Sequence, residues 1–347
     1  MLNIPFPRLA VSGCVLLLAA CVNRNGQEVT QGADATPTAG VACEWNQSIK
    51  NDSPSVRATS KAHWSCTGTE RRLSANGLPD HAAGTFPNPD NPNTISAQDI
   101  AATFTLAPVK TQAATRLGGP RGVIGFVLNG VKIDAGTNGG CNDAGSECDQ
   151  GRPSGQWRME ALGITNFRFG TDSNNAHVQP NGEYHYHGMP EGFIALQNKG
   201  QAMTLIGWAA DGFPIYARWG YSSATDAASP TRAMQGSYGI KSQPDASRPP
   251  VSTFPMGTFM QDYEYVEGLG DLDECNGRTG VTPEFPQGIY HYFATDSYPY
   301  LQRCVKGALT VSERPRGGPP PQGRNQQGLT DPMAPTPRTS RSVAPLV

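Results

Sequence analysis

Pro180-Asn181-Gly182-Glu183-Tyr184-His185-Tyr186-His187 returns later in the chain as Pro286-Gln287-Gly288-Ile289-Tyr290-His291-Tyr292-Phe293. Each copy opens on Pro-x-Gly, a turn signal, because proline fixes φ and glycine accepts φ > 0. Each continues with a Tyr-His-Tyr run that is β-prone and strictly alternating. Residues two apart on a strand share a face. His185 and His187 are therefore expected on one face, with Tyr184 and Tyr186 on the other. His291 takes the slot of His185. The chain has only six histidines, so three of them in two matched strands is a concentration that asks for a chemical reason.

Working outward, a second pair of segments matches. Gly125-Phe126-Val127-Leu128-Asn129-Gly130-Val131-Lys132-Ile133 resembles Gly207-Trp208-Ala209-Ala210-Asp211-Gly212-Phe213-Pro214-Ile215. Both are an apolar strand, an Asn-Gly or Asp-Gly turn, and another short apolar run, which is a strong hairpin signal. The order is hairpin, histidine strand, hairpin, histidine strand. The expected fold is mostly β: a disulfide-bonded, loop-rich, sandwich-like domain of two related halves, packed face to face with the histidine strands near their seam. Helical periodicity is weak, and residues 98–104 and 157–162 read as short helices or strands.

Composition agrees. There are 40 glycines and 30 prolines, about a fifth of the chain against roughly 12% on average, which favours turns over long regular elements. Charged residues make up 16% and the formal net charge is −2, so no basic field invites nucleic acid.

Residues 1–20 read as a signal peptide, with Arg8 ahead of an apolar run too short to span a bilayer. The run ends Leu18-Ala19-Ala20-Cys21, a bacterial lipobox pattern, which makes Cys21 the expected lipidation site and a membrane surface the expected partner. Residues 21–40 read as a flexible linker, 41–311 as the folded β domain, and 312–347 as a disordered Pro/Gly/Arg-rich tail. Six cysteines remain in the domain: Cys43, Cys66, Cys141, Cys148, Cys275 and Cys304. An even count in an exported chain implies disulfides, and the simplest of the 15 pairings joins sequence neighbours. With the thiols oxidised, any metal must be held by imidazole and oxygen.

Imidazole suits zinc, copper and nickel. A His-x-His strand offers two ligands and a stable site takes three or four. His291 is expected as the third ligand by repeat equivalence, with His177 and His81 as further candidates from turn-rich loops. His63, and the tyrosines of the repeat, are expected to be structural. Asp271, Asp273 and Glu274 crowd one tight loop, suited to calcium or to orienting imidazoles by hydrogen bonds. The loop lacks the EF-hand spacing. No nucleophile elbow, zincin, Walker or dinucleotide motif is present, so no catalytic residue can be named.

Asn-Gly-Leu-Pro-Asp-His ahead of the hairpins, His177 to Gly188, the second hairpin, the acidic loop and residues 286–295 together resemble the YHYH-domain family, named for residues 184–187 as they stand here. The likeness runs over nearly all of residues 75–308. It implies an exported or membrane-anchored protein and says little of activity. The expected function is an envelope lipoprotein, at the outer membrane if the host is Gram-negative, that binds a transition metal. Copper is favoured over zinc because an oxidising, thiolate-free site suits Cu(II). The alternatives are a hydrolytic or oxidative metalloenzyme at the same site, and a metal-free binding module.

Overall fold

The computed structural model describes residues 43–118, 122–152, 154–164 and 167–309. Cys21, the signal segment, the linker and the tail lie outside them. At the centre are the two hairpins: Gly125–Val127 with Lys132–Ile133, and Thr204–Ala209 with Pro214–Ala217. Their turn glycines, Gly130 and Gly212, sit at φ +79° and +89°, a region that glycine enters without steric cost. Each turn closes through the glycine N–H donating to the carbonyl three residues back, Val127 or Ala209, at 2.8 Å.

The histidine runs add outside the hairpins. Tyr184–Tyr186 lies parallel to Lys132–Ile133, and Ile289–Ala294 lies parallel to Pro214–Ala217. Each gains an antiparallel outer neighbour, Ala176–Val178 and Gly277–Gly280 respectively. All eight strands form one sheet, in the order Ala176–Val178, Tyr184–Tyr186, Lys132–Ile133, Gly125–Val127, Thr204–Ala209, Pro214–Ala217, Ile289–Ala294, Gly277–Gly280.

The sequence repeat is thus a topological repeat, but the halves meet edge to edge and not face to face. Gly125–Val127 pairs antiparallel with Thr204–Ala209, and Phe126 sits opposite its own repeat counterpart, Trp208. Because the seam's backbone groups are taken by the hairpins, the histidine strands are pushed to the flanks. Five inter-strand spacings separate them, about 24 Å along the sheet at ~4.8 Å each.

The sandwich arises from a second sheet of four strands: Trp45–Asn51, Ala58–Thr67, Glu70–Ala75 and Ile100–Thr105. Of the segment 98–104, residues 100–104 are therefore strand, whereas of 157–162 only Trp157–Arg158 is strand. Trp64, Leu73 and Phe104 share one core with Phe126, Leu128 and Trp208, and Trp64 Nε1–H donates to the Leu128 carbonyl at 2.9 Å. Every residue of Thr204–Ala209 and Pro214–Ala217 is buried, as continuous apolar strands covered on both faces require. A smaller cluster around Trp157, Met159, Phe169, Phe254 and Phe259 forms a loop layer elsewhere. Disulfides join Cys43–Cys66, Cys141–Cys148 and Cys275–Cys304, the neighbour pairing. Among the described residues, no helix is long and apolar enough to cross a membrane.

Candidate metal centre

A tight turn builds the site. Gly182 N–H donates to the Gln179 carbonyl at 2.8 Å and Gln179 N–H to the Glu183 carbonyl at 2.9 Å. The resulting hairpin places His177 opposite His185 and Ala176 opposite Tyr186. Alternation along the strand supplies His185 and His187 to one face, and cross-strand pairing supplies His177. Their Nε2 atoms converge, His185 to His187 at 3.0 Å and His187 to His177 at 3.0 Å.

The other ring nitrogens decide what those Nε2 atoms carry. His177 Nδ1 lies 2.7 Å from the Phe169 carbonyl and His185 Nδ1 lies 3.3 Å from the Glu183 carbonyl. A carbonyl only accepts, so the proton is assigned to Nδ1 and the Nε2 lone pair faces the centre. The Ala135 carbonyl acts on His187 in the same sense, raising its pKa, although Nδ1 makes no hydrogen bond of good geometry. Carbonyl-oriented imidazoles are the usual support of metal-ligating histidine. A tetrahedral ion with bonds of about 2.0–2.1 Å holds its donors about 3.3–3.4 Å apart, so the two pairs that His187 makes need part by only a few tenths of an ångström to accept one.

Electrostatics keep the three imidazoles neutral, the form that ligates a metal. Burial, then the neighbouring imidazoles, push His185 well below the ordinary histidine range. Burial, then His177 and Arg303, do the same to His187. Burial lowers His177 too. Next to the rings, Lys132 Nζ donates to Glu183 at 2.8 Å and Gln179 at 3.0 Å, with Asp134 3.7 Å away. The Lys132 ammonium lowers all three imidazoles, Arg303 adds to this at His187, and Glu183 and Asp134 pair with Lys132. These neighbours were not singled out from sequence; their signal was the two-residue spacing, since Gln179 follows His177 by two and Glu183 precedes His185 by two. A polar cavity of about 420 Å³ lies at the end of the same strands, lined by Leu162, Asn175, Met189, Glu191, Thr295, Asp296 and Tyr300.

Other expected site residues lie elsewhere. His291 is a correction: the edge-to-edge join puts its strand on the opposite flank of the sheet, where its ring packs on Tyr216 and Phe293. His81 is a second correction. Its Nε2 pairs with the Tyr186 hydroxyl at 2.6 Å, and Tyr186 points to the face opposite the imidazoles. The acidic loop is a third. Asp271 pairs with Arg232 and the Gln235 N–H, Asp273 accepts from Tyr290 and from the N–H groups of Cys275 and Gly277, and Glu274 pairs with Lys306. Their oxygens are committed to different donors and do not surround a calcium position or reach the imidazoles. Among the described residues, the only histidine, cysteine or carboxylate trio whose ligand atoms all lie within 4.8 Å of one another is His177, His185 and His187.

The profile of the family described as YHYH protein matches residues 101–307, well over half of the chain. The chain belongs to the YHYH family. No curated protein and no solved structure matches it. In this YHYH protein the two letters of the motif have separate duties. Tyr184 donates to Asp172 at 2.7 Å, and Tyr186 meets Asn129 and His81 in the core. The histidines turn the other way, toward His177.

Proposed function

We propose that this YHYH protein is a lipid-anchored envelope protein that binds one transition-metal ion through Nε2 of His177, His185 and His187, with copper favoured. One observation carries the metal reading: His187 Nε2 lies 3.0 Å from Nε2 of both His177 and His185, in a buried site that resists protonation. Such an arrangement repels itself until a cation enters. Copper is favoured because the six domain cysteines are consumed in disulfides, leaving an all-imidazole donor set suited to Cu(II). The anchor reading rests on the Leu18-Ala19-Ala20-Cys21 pattern. The test is metal content of protein purified from its native envelope, with X-ray absorption to count imidazoles. One ion per chain with about three nitrogen ligands is expected. A chain that holds no transition metal, and takes up neither Cu(II) nor Zn(II) on titration, sinks the reading.

A second reading, metal-assisted catalysis, draws on the position that three ligands leave open on a four-coordinate ion. Lys132 and Glu183 stand beside it as groups able to hold or move a proton, and Gln179 accepts from Lys132. Hydrolytic or oxidative turnover present in the metal-loaded chain and absent from His187→Ala would favour it over simple binding.

A further inference from the structure

The second half of the sheet repeats the scaffold of the histidine site, down to its supporting hydrogen bonds. Asp172 N–H donates to the Ala176 carbonyl at 2.8 Å, and Asp273 N–H to the Gly277 carbonyl at 2.8 Å. Asn175 and Asn276 both sit at positive φ, 55° and 60°. Asp172 accepts the Tyr184 hydroxyl at 2.7 Å, and Asp273 accepts that of Tyr290 at 2.9 Å. His187 N–H donates to Asn175 at 2.8 Å, and Phe293 N–H to Asn276 at 2.9 Å. Residues can therefore be equated one by one.

In that correspondence His177 opposite His185 becomes Arg278 opposite His291, and His187 becomes Phe293. His291 keeps the orientation of His185. Its Nδ1 lies 2.9 Å from the Ile289 carbonyl, so its buried Nε2 presents a lone pair, and that atom has no hydrogen-bond partner. The His291 and Phe293 rings stand 5.1 Å apart, against 4.7 Å for His185 and His187. The Arg278 guanidinium lies 5.4 Å over the Phe293 ring and donates to the Tyr221 carbonyl at 2.8 Å.

We propose that the second half carries a dormant copy of the three-imidazole site, in which Arg278 and Phe293 occupy the slots of His177 and His187, and that Arg278→His with Phe293→His opens it as a second site for a divalent transition metal. The guanidinium does not satisfy the imidazole: Arg278 Nε and His291 Nε2 are both buried without a hydrogen-bond partner, an unmet acceptor of the kind a metal ion would answer. This inference shares the metal reading of the first site but does not need it.

The experiment measures bound Zn(II) and Cu(II) per chain after dialysis. It uses four full-length chains: wild type, Arg278→His/Phe293→His, His185→Ala/His187→Ala, and all four substitutions together. The expected stoichiometries are about one, two, zero and one. A double variant that holds no more metal than wild type overturns the proposal. Wild type holding none while the double variant holds one leaves the proposal standing and removes the reading of the first site. Because Phe293 is buried, a converse exchange guards against a folding failure. His177→Arg with His187→Phe writes the second half's residues into the first. That chain is expected to unfold cooperatively and to bind no metal. If it fails to fold, the two slots are not interchangeable and the proposal is overturned.

Discussion

His187 Nε2 lies 3.0 Å from His177 Nε2, although ten residues and a turn separate them. The His187 peptide N–H donates to the Asn175 carbonyl at 2.8 Å, so the same hairpin that pairs the backbones brings the rings together. The site is a product of register: a slip of one residue in this hairpin would move His177 to the tyrosine face.

Removing a ligand separates the convergent histidines from the others. His177→Ala or His187→Ala is expected to weaken metal binding by more than the ~100-fold upper range typical of losing a supporting partner. His291→Ala and His63→Ala, remote from the trio, are expected to change it by less than about threefold. Competition titration with a chromogenic chelator reads both.

The pH dependence follows from the direction of the shifts. Only neutral imidazole ligates, and burial holds His185 and His187 well below 6.5. Protons therefore compete only at lower pH than for an ordinary histidine. Affinity is expected to stay level as pH falls through 6.5 and to drop below that range. A break in the affinity profile at 6.5 contradicts the buried geometry.

His291 gives a stability prediction independent of metal. Burial lowers it to about 3, against roughly 6.5 when unfolded. Between those values the unfolded chain binds the extra proton. Stability is therefore fully present above 6.5 and is lost as pH falls, by up to about 1.4 kcal/mol per pH unit. Denaturant unfolding at pH 7 and pH 5 should show a smaller loss for His291→Phe than for wild type. Equal losses would falsify the assignment.

Tyr186→Phe tests the division of duties within the motif. Its hydroxyl meets Asn129 at 3.0 Å and His81 at 2.6 Å in the core. Deleting it leaves buried partners unsatisfied, at an expected cost of about 1–3 kcal/mol in unfolding free energy. Metal affinity is expected to be unchanged.

Cys21→Ser addresses the anchor. The variant is expected to appear as unprocessed precursor or in the soluble fraction. Mature, membrane-bound Cys21→Ser protein would end the lipoprotein reading.

Several features could be read without coordinates because they depend on neighbours in the chain. Tyr184 to His187 alternate because a strand has a period of two. Asn129-Gly130 and Asp211-Gly212 announce hairpins because glycine takes the positive φ those turns need. Cys141 and Cys148 are close in sequence and pair. The third imidazole was legible in principle. Residues 179–182 form a hairpin turn, and counting outward from it sets His177 against His185. Reading His177 as part of a loop missed this.

The chain by itself determined the mostly β class, the repeat of hairpin and histidine strand, the shared face of His185 and His187, and an even set of domain cysteines expected to be oxidised, while their pairing came from the tertiary structure. Only the tertiary structure decided which histidines meet. Repeat equivalence says that His185 and His291 occupy matching slots, but matching slots in two halves are neighbours only if the halves join there. They join instead through Phe126 and Trp208, because those hairpin strands are apolar on both sides and bury best at the centre of the sheet. That choice sends the two histidine strands to opposite flanks, where one finds His177 as its partner and the other finds Arg278.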